Sequence, residues 1–122
     1  MNEIYKNEAL IELTNGTYYI HDSTVSRFDI YEQNHQLCID VYFNSGNIKY
    51  NNERQLKIHF EDIIKYQFLY NNNHNFYNVE SYKFFKSEMG FYISLDPFNE
   101  SKDVSEDDED LILCKNMEGT FI

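Results

Sequence analysis

The stretch QLCIDVYF at residues 36–43 decides the fold class, because apolar side chains occupy every second position. One parity of this stretch carries Leu37, Ile39, Val41 and Phe43. Successive side chains of a strand point to opposite faces of a sheet, so the alternation predicts a β-strand with one buried face. The segment RFDIYEQ at 27–33 ends just before Asn34 and His35, and we expect it to pair with 36–43 as a hairpin.

The same alternation recurs along the rest of the chain. Further strands are predicted at 55–60 (QLKIHF), 63–70 (IIKYQFLY), 91–95 (FYISL) and 110–117 (DLILCKNM), and the stretch at 76–87 (FYNVESYKFFKS) is aromatic and β-prone. Turns are predicted at 44–47 (NSGN), at Met89-Gly90, and at 14–16, where TNG separates EALIEL from TYYIH and suggests an N-terminal hairpin. Only the first dozen residues and the short EDII at 61–64 allow a helix.

The predicted fold class is therefore mainly β. We expect seven to nine strands in an antiparallel meander that is curled into a barrel or packed as a sandwich, with at most one or two short helices. No repeat or linker divides the chain, so residues 1–122 are predicted to form a single domain, which includes an acidic loop at residues 99–110.

Composition indicates an ordinary globular protein. Hydrophobic residues make up 42% of the 122 residues and aromatic residues 17%, which is enough apolar material for a core. The first residues, MNEIYKNEALIEL, include acids where a secretory signal has a basic start and an apolar run. No apolar run approaches the roughly 20 residues of a membrane span. These features predict a cytoplasmic protein in which Cys38 and Cys114 are reduced and structural.

The net charge of −11 is concentrated in one place. Residues 100–110 contain seven acids and one lysine, so this segment carries −6. Nucleic acids and anionic membranes select clustered Lys and Arg, so neither is an expected partner. A charged partner is expected to be a basic protein.

Three interpretations apply to the acidic loop. A calcium loop of the EF-hand type needs alternating ligands, a central glycine and a closing glutamate, and the loop has neither that spacing nor any glycine. The loop is then either a solvated segment that maintains solubility or a recognition surface for a cationic protein. In the second case the predicted binding residues are Asp103, Glu106, Asp107, Asp108, Glu109 and Asp110.

No catalytic or metal motif is present in the sequence. The four histidines, at 21, 35, 59 and 74, show no spacing typical of a local metal site. The sequence contains no phosphate-binding glycine loop, no nucleophile elbow and no Cys-His signature. We therefore expect no enzyme activity, no cofactor and no metal. One enzymatic hypothesis remains, a small hydrolase with paired carboxylates. It requires a concave pocket that holds two acids.

The segment from Tyr42 to Asp110 resembles a group of small bacterial proteins. The resemblance lies in FEDIIKYQF at 60–68, in GFYISLDP at 90–97, and in the acidic SEDDED that follows at 105–110. Proteins with this pattern are associated with immunity functions in polymorphic toxin systems. The resemblance implies a cytosolic protein that binds and blocks a cognate toxin, commonly one with a basic nuclease-like surface, and it carries over no functional residues.

Two further hypotheses assign the chain a function without catalysis. The first is an inhibitory binding protein, in the manner of an immunity protein, that occludes a basic partner through the acidic loop. The alternative is a structural or accessory subunit of a homo-oligomer, or of a bacterial or phage assembly, that associates through an exposed sheet edge or a tyrosine-bearing face and has no catalytic activity.

Overall fold

The fold was obtained as a computed structural model, which describes residues 3–16, 18, 20–44, 55–70, 72 and 77–122. The elements are β1 (Ile4–Lys6), α1 (Glu8–Gly16), β2 (Thr24–Gln33), β3 (Gln36–Asn44), β4 (Gln55–Gln67), β5 (Lys83–Lys86), β6 (Phe91–Asp96) and β7 (Glu109–Phe121). The expectation of a mainly β chain with at most one or two short helices is confirmed.

All the named strands belong to one antiparallel sheet. Its order is β2-β3-β4-β7-β6-β5, and β1 also pairs with β7. The long β7 pairs with β4 along one side, whereas β6 and β1 share its other side at opposite ends. The sheet is not closed into a barrel, so a curled or sandwich-like arrangement is the correct alternative.

The core lies on one face of this sheet. The largest fully buried side chains that the strands contribute to this core are Phe43, Phe60, Ile39, Leu56, Ile58, Ile112 and Val41. Helix α1 adds Leu10 and Leu13, three residues apart and therefore on one helical face. A Cβ at Gly119 of β7 would lie 2.5 Å from Cδ1 of Leu10, so the glycine allows the helix to approach the sheet closely.

The hairpin between β2 and β3 confirms the predicted turn. Asn34 and His35 both have positive φ, at 54° and 65°, and two such residues form the tight turn whose twist matches a hairpin. The register follows directly, with Gln33 opposite Gln36 and Ile30 opposite Ile39. The turn predicted at 44–47 lies largely outside the described residues.

Two local predictions are wrong. EALIEL is helical and does not form a hairpin strand, because burial of its apolar face against the sheet outweighs its short alternation. The separate strands predicted at 55–60 and 63–70 are the single strand β4, in which EDII is extended. Asp62 there has φ of 52° and lies beside the register shift between Ile63 and Lys65, so a β-bulge lets the strand continue.

The β-prone stretch at 76–87 forms a strand in part. Within its described residues, 77–87, the strand is Lys83–Lys86, which pairs with β6. Residues 77–79 instead lie against the start of β2, where the backbone N–H of Val25 donates to the carbonyl of Tyr77 at 2.8 Å. Asn78 forms an isolated bridge with Thr24.

Candidate functional site

The acidic loop connects β6 to β7 and is anchored at a buried carboxylate. Asp108 is 1% exposed, and its side chain is surrounded by hydrogen-bond donors. Its Oδ2 accepts from Lys83 Nζ at 2.9 Å, from the Tyr92 hydroxyl at 2.7 Å and from the Ser105 N–H at 3.1 Å. Its Oδ1 accepts from the Phe98 N–H at 2.9 Å. One carboxylate therefore joins β5, β6 and both ends of the loop.

Lys83 is the cationic partner of this anchor. Its side chain is 1% exposed, and Nζ also donates to the backbone carbonyl of Asp103 at 2.9 Å. Burial acts to raise the pKa of Asp108, but the bonds from Lys83, Phe98, Tyr92 and Ser105 outweigh it and hold that pKa below its usual value. Asp108 is therefore ionised at neutral pH.

Asp110, at the start of β7, is also buried. It is 1% exposed and has φ of 51°. Its Oδ1 accepts from the Leu69 N–H at 2.9 Å, which ties the segment after β4 to β7. Asp108 and Asp110, two of the six predicted binding residues, are thus buried and are not displayed at the surface. The acidic residues next to them in the sequence gave no sign that these two carboxylates turn inward.

The remaining predicted binding residues lie at the surface. Asp103, Glu106 and Asp107 are exposed, and Glu109 is partly buried. The loop has local hydrogen bonds: the Ser101 N–H donates to Asn99 Oδ1 at 3.1 Å, and the Ser101 hydroxyl donates to the carboxylate of Asp103. The exposed carboxylates are thus carried on a segment that is hydrogen-bonded internally as well as to Asp108.

The loop crosses the face of the sheet that is opposite the main core. There it approaches a small second cluster formed by Tyr92, Leu111 and Leu113, with Phe85 packed against it. An open cleft of about 490 Å³ lies beside the loop. Its apolar lining comes from Phe85, Met89, Val104 and Leu113, and its charged lining from Lys86, Glu88, Lys102 and Asp103. A cleft with balanced charges beside an acidic loop offers an apolar recess to a partner, but it does not select an anion or a cation by itself.

A second polar cluster lies on the same sheet face, on β2, β3 and β4. Asp40 Oδ1 is 2.6 Å from His59 Nδ1, and Asp40 Oδ2 accepts from the Tyr31 hydroxyl at 2.9 Å. His59 Nε2 is 3.6 Å from a carboxylate oxygen of Glu61. The sequence analysis missed this cluster, because Asp40 and His59 are neighbours only through the register that pairs them across β3 and β4.

A carboxylate paired with an imidazole is the acid–base part of a nucleophilic site, and no Ser or Cys side chain among the described residues is hydrogen-bonded to this pair. Cys38, on the same strand as Asp40, is buried, and burial together with Glu61 and Asp40 raises its pKa. Burial likewise raises the pKa of Cys114 to about 12. Both free thiols are thus protonated at neutral pH, as expected for structural cysteines.

The described residues do not assemble a metal site. Within residues 3–44, 55–70 and 77–122, apart from the gaps stated above, no group of three His, Cys, Asp or Glu side chains is arranged to hold a metal ion. His21 lies 3.0 Å from Asp22 at the surface, and His35 is in the β2–β3 turn. His74 lies outside the described residues.

Comparison with known proteins gives no match. No protein-family model, no curated protein and no solved structure matches the chain. In the part of the chain that the structure describes, no helix has both the length and the apolar character to cross a membrane.

Proposed function

We propose that this chain is a cytoplasmic, non-catalytic binding protein that inhibits a basic protein partner by occlusion, as an immunity protein blocks a nuclease-like toxin. The observation that carries the proposal is the buried Lys83–Asp108 pair, which fixes the loop that displays Asp103, Glu106 and Asp107. A preorganised loop loses less conformational entropy on binding than a mobile one.

Charge supports the same function. The segment 100–110 holds −6 of the net −11, and the buried Asp108 is compensated by Lys83. The exposed acids therefore remain the main source of negative potential near the loop. Clustered charge of one sign raises the association rate with an oppositely charged protein by about 10-fold to 10³-fold at low salt. Rapid capture is what an inhibitor of a damaging enzyme requires.

The partner must first be identified. The protein is used as bait in its native host at low and moderate salt, and the proteins that co-purify are determined. One dominant basic protein, lost as salt rises, is the expected result. Recovery of the bait without a basic protein at low salt contradicts the proposal.

The role of the loop is then tested with matched variants. Glu106→Gln with Asp107→Asn removes two exposed charges from the loop, and Glu12→Gln with Glu80→Gln removes two exposed charges elsewhere. We expect the loop variant to associate with the partner roughly threefold to tenfold more slowly at low salt, because steering depends on charge near the interface. The control variant should stay within about twofold of the unmodified protein. Equal rates for the two variants across a salt series would exclude the loop as the binding surface.

A further inference from the structure

The open cleft beside the acidic loop has a floor that belongs to the sheet. Phe85 on β5 is directly opposite Tyr92 on β6, and Tyr92 is directly opposite Leu113 on β7. Directly opposed residues of neighbouring strands point to the same face, so these three side chains form one row on the face away from the main core. Phe85 and Leu113 line the cleft, whose volume is about 490 Å³. Because paired strands make this floor, it is already formed before any ligand binds.

The walls of the cleft expose two apolar side chains. Met89 is 65% exposed and Val104 is 55% exposed, and both line the cleft. The turn that carries Met89 is hydrogen-bonded, since the Met89 N–H donates to Ser87 Oγ at 3.3 Å. Val104 follows Asp103, whose backbone carbonyl accepts from Lys83 Nζ at 2.9 Å. Filling such a cleft buries apolar area and orders little of the protein, which favours tight packing of one inserted group.

The charges around the cleft favour a cation next to that group. Lys86 lines the cleft, but its Nζ lies 3.1 Å from Glu8, which offsets its charge. Four exposed carboxylates lie at the cleft or beside it, at Glu88, Asp103, Glu106 and Asp107. They outnumber two further exposed lysines of this region, Lys65 and Lys102. An apolar ligand with an anionic head, such as a fatty acid, would therefore place its charge among like charges.

The geometry points to the cleft as the anchor site for the basic partner. The cleft receives one bulky apolar side chain of that protein, and a Lys or Arg next to it in the partner's chain pairs with Asp103 or Glu88 at the rim. Asp103 is available for this role, since its side chain is 71% exposed. Protein interfaces concentrate their binding energy in such buried anchors within a polar rim. This inference rests on the proposed function, because it specifies how the same partner is held once the acidic loop has attracted it.

NMR of methionine methyl groups tests the cleft with the protein as it exists. After ¹³C-methyl labelling of methionine, Met89 reports on the cleft, and Met117, which is 2% exposed in the main core, is the internal control. The probe is the peptide acetyl-Lys-Phe-Lys-amide. We expect it to shift the Met89 signal with a Kd of about 1–10 mM, as for a small fragment of an interface, and to leave the Met117 signal unchanged.

Two matched peptides separate the anchor from the charge. Acetyl-Lys-Ala-Lys-amide keeps the cations and lacks the anchor, whereas acetyl-Glu-Phe-Glu-amide keeps the anchor and reverses the charge. We expect each to bind at least about tenfold more weakly than the probe, because one loses the buried aromatic area and the other meets like charges.

A pair of double variants locates the binding site on the protein. Met89→Gln with Val104→Thr makes both walls polar with little change in volume. Ile122→Gln with Ile4→Thr is the control, because these side chains are also 65% and 55% exposed. Ile4 lies opposite Thr120, seven positions along β7 from Leu113 and thus roughly 23 Å away. We expect the wall variant to bind the probe at least about fivefold more weakly and the control to bind it as the unmodified protein does, with the backbone amide of Leu113 as the reporter.

The outcomes separate this inference from the proposed function. A Met89 signal that the probe does not shift overturns the anchor site, as does equal binding of the alanine or the glutamate peptide. A Met89 signal that moves on dilution of the protein without peptide assigns the cleft to a second copy and also overturns it. Each of these results leaves the association rates of the loop variants unaffected. A probe that binds as expected while no basic protein co-purifies supports the anchor site and contradicts the proposed function.

Discussion

Removing the carboxylate of Asp108 is predicted to destabilise the protein more than any other single change in the loop. Asp108→Ala leaves the ammonium of Lys83 at a site where the side chain is 1% exposed. It also removes the acceptor of Tyr92, Phe98 and Ser105. Breaking a buried ion pair by removing one partner costs about 3–5 kcal/mol. We expect the free energy of unfolding to fall by about 4 kcal/mol, whereas a whole domain typically has a free energy of unfolding of roughly 5–15 kcal/mol.

The companion variants separate the charge pair from the rest of the network. Lys83→Met fills a similar volume and leaves Asp108 with its three neutral donors, so we expect a smaller loss of about 2–3 kcal/mol. The double variant, with both Asp108→Ala and Lys83→Met, buries no unpaired charge. Its decrease in free energy of unfolding is therefore expected to be smaller than the sum of the two single decreases by at least about 1 kcal/mol.

Urea unfolding at pH 7, followed by far-UV circular dichroism, measures these losses. With a slope of about 2 kcal/mol/M, a loss of 4 kcal/mol lowers the urea midpoint by roughly 2 M. The reasoning is refuted if Asp108→Ala loses less than about 1 kcal/mol, or if the two single losses add in the double variant.

The same pair predicts a pH dependence. Because the pKa of Asp108 in the folded state lies below its ordinary value of 3.8, its contribution to stability is complete above that value and is lost as the pH falls through the folded-state pKa. The difference in free energy of unfolding between the unmodified protein and Asp108→Ala should thus be constant from pH 5 to pH 8. It should shrink below about pH 4. A difference that already declines between pH 7 and pH 5 would contradict the assignment.

Two further predictions concern Gly90 and the two buried thiols. Gly90→Ala should lower the free energy of unfolding in urea by at least about 2 kcal/mol, because φ there is 152° and a Cβ would lie 2.4 Å from the carbonyl oxygen of Cys114. A decrease of less than about 0.5 kcal/mol would contradict this. Cys38 and Cys114 should not react with a thiol reagent at pH 8 until the chain is unfolded, because both are buried with raised pKa values; rapid labelling of the folded protein would exclude that placement.

Local sequence predicted the strands whose signal does not depend on distant contacts. The alternation at 36–43 and the positive-φ turn at Asn34 and His35 together define the β2–β3 hairpin, and both are properties of neighbouring residues. The helix at Glu8–Gly16 was ambiguous, because EALIEL satisfies a short alternating pattern as well as a helical face. Packing of Leu10 against Gly119, more than 100 positions away in the chain, favours the helix.

The sequence by itself determined the fold class, the position of the negative charge and the turn at Asn34 and His35, since these depend on composition and on spacing within a few residues. The tertiary structure alone decided which acids of the loop face solvent. Asp107 and Asp108 are adjacent and chemically identical, yet one is exposed and the other is buried. The difference arises because Lys83, 25 positions earlier in the chain, lies under Asp108 once β5 and β6 have paired.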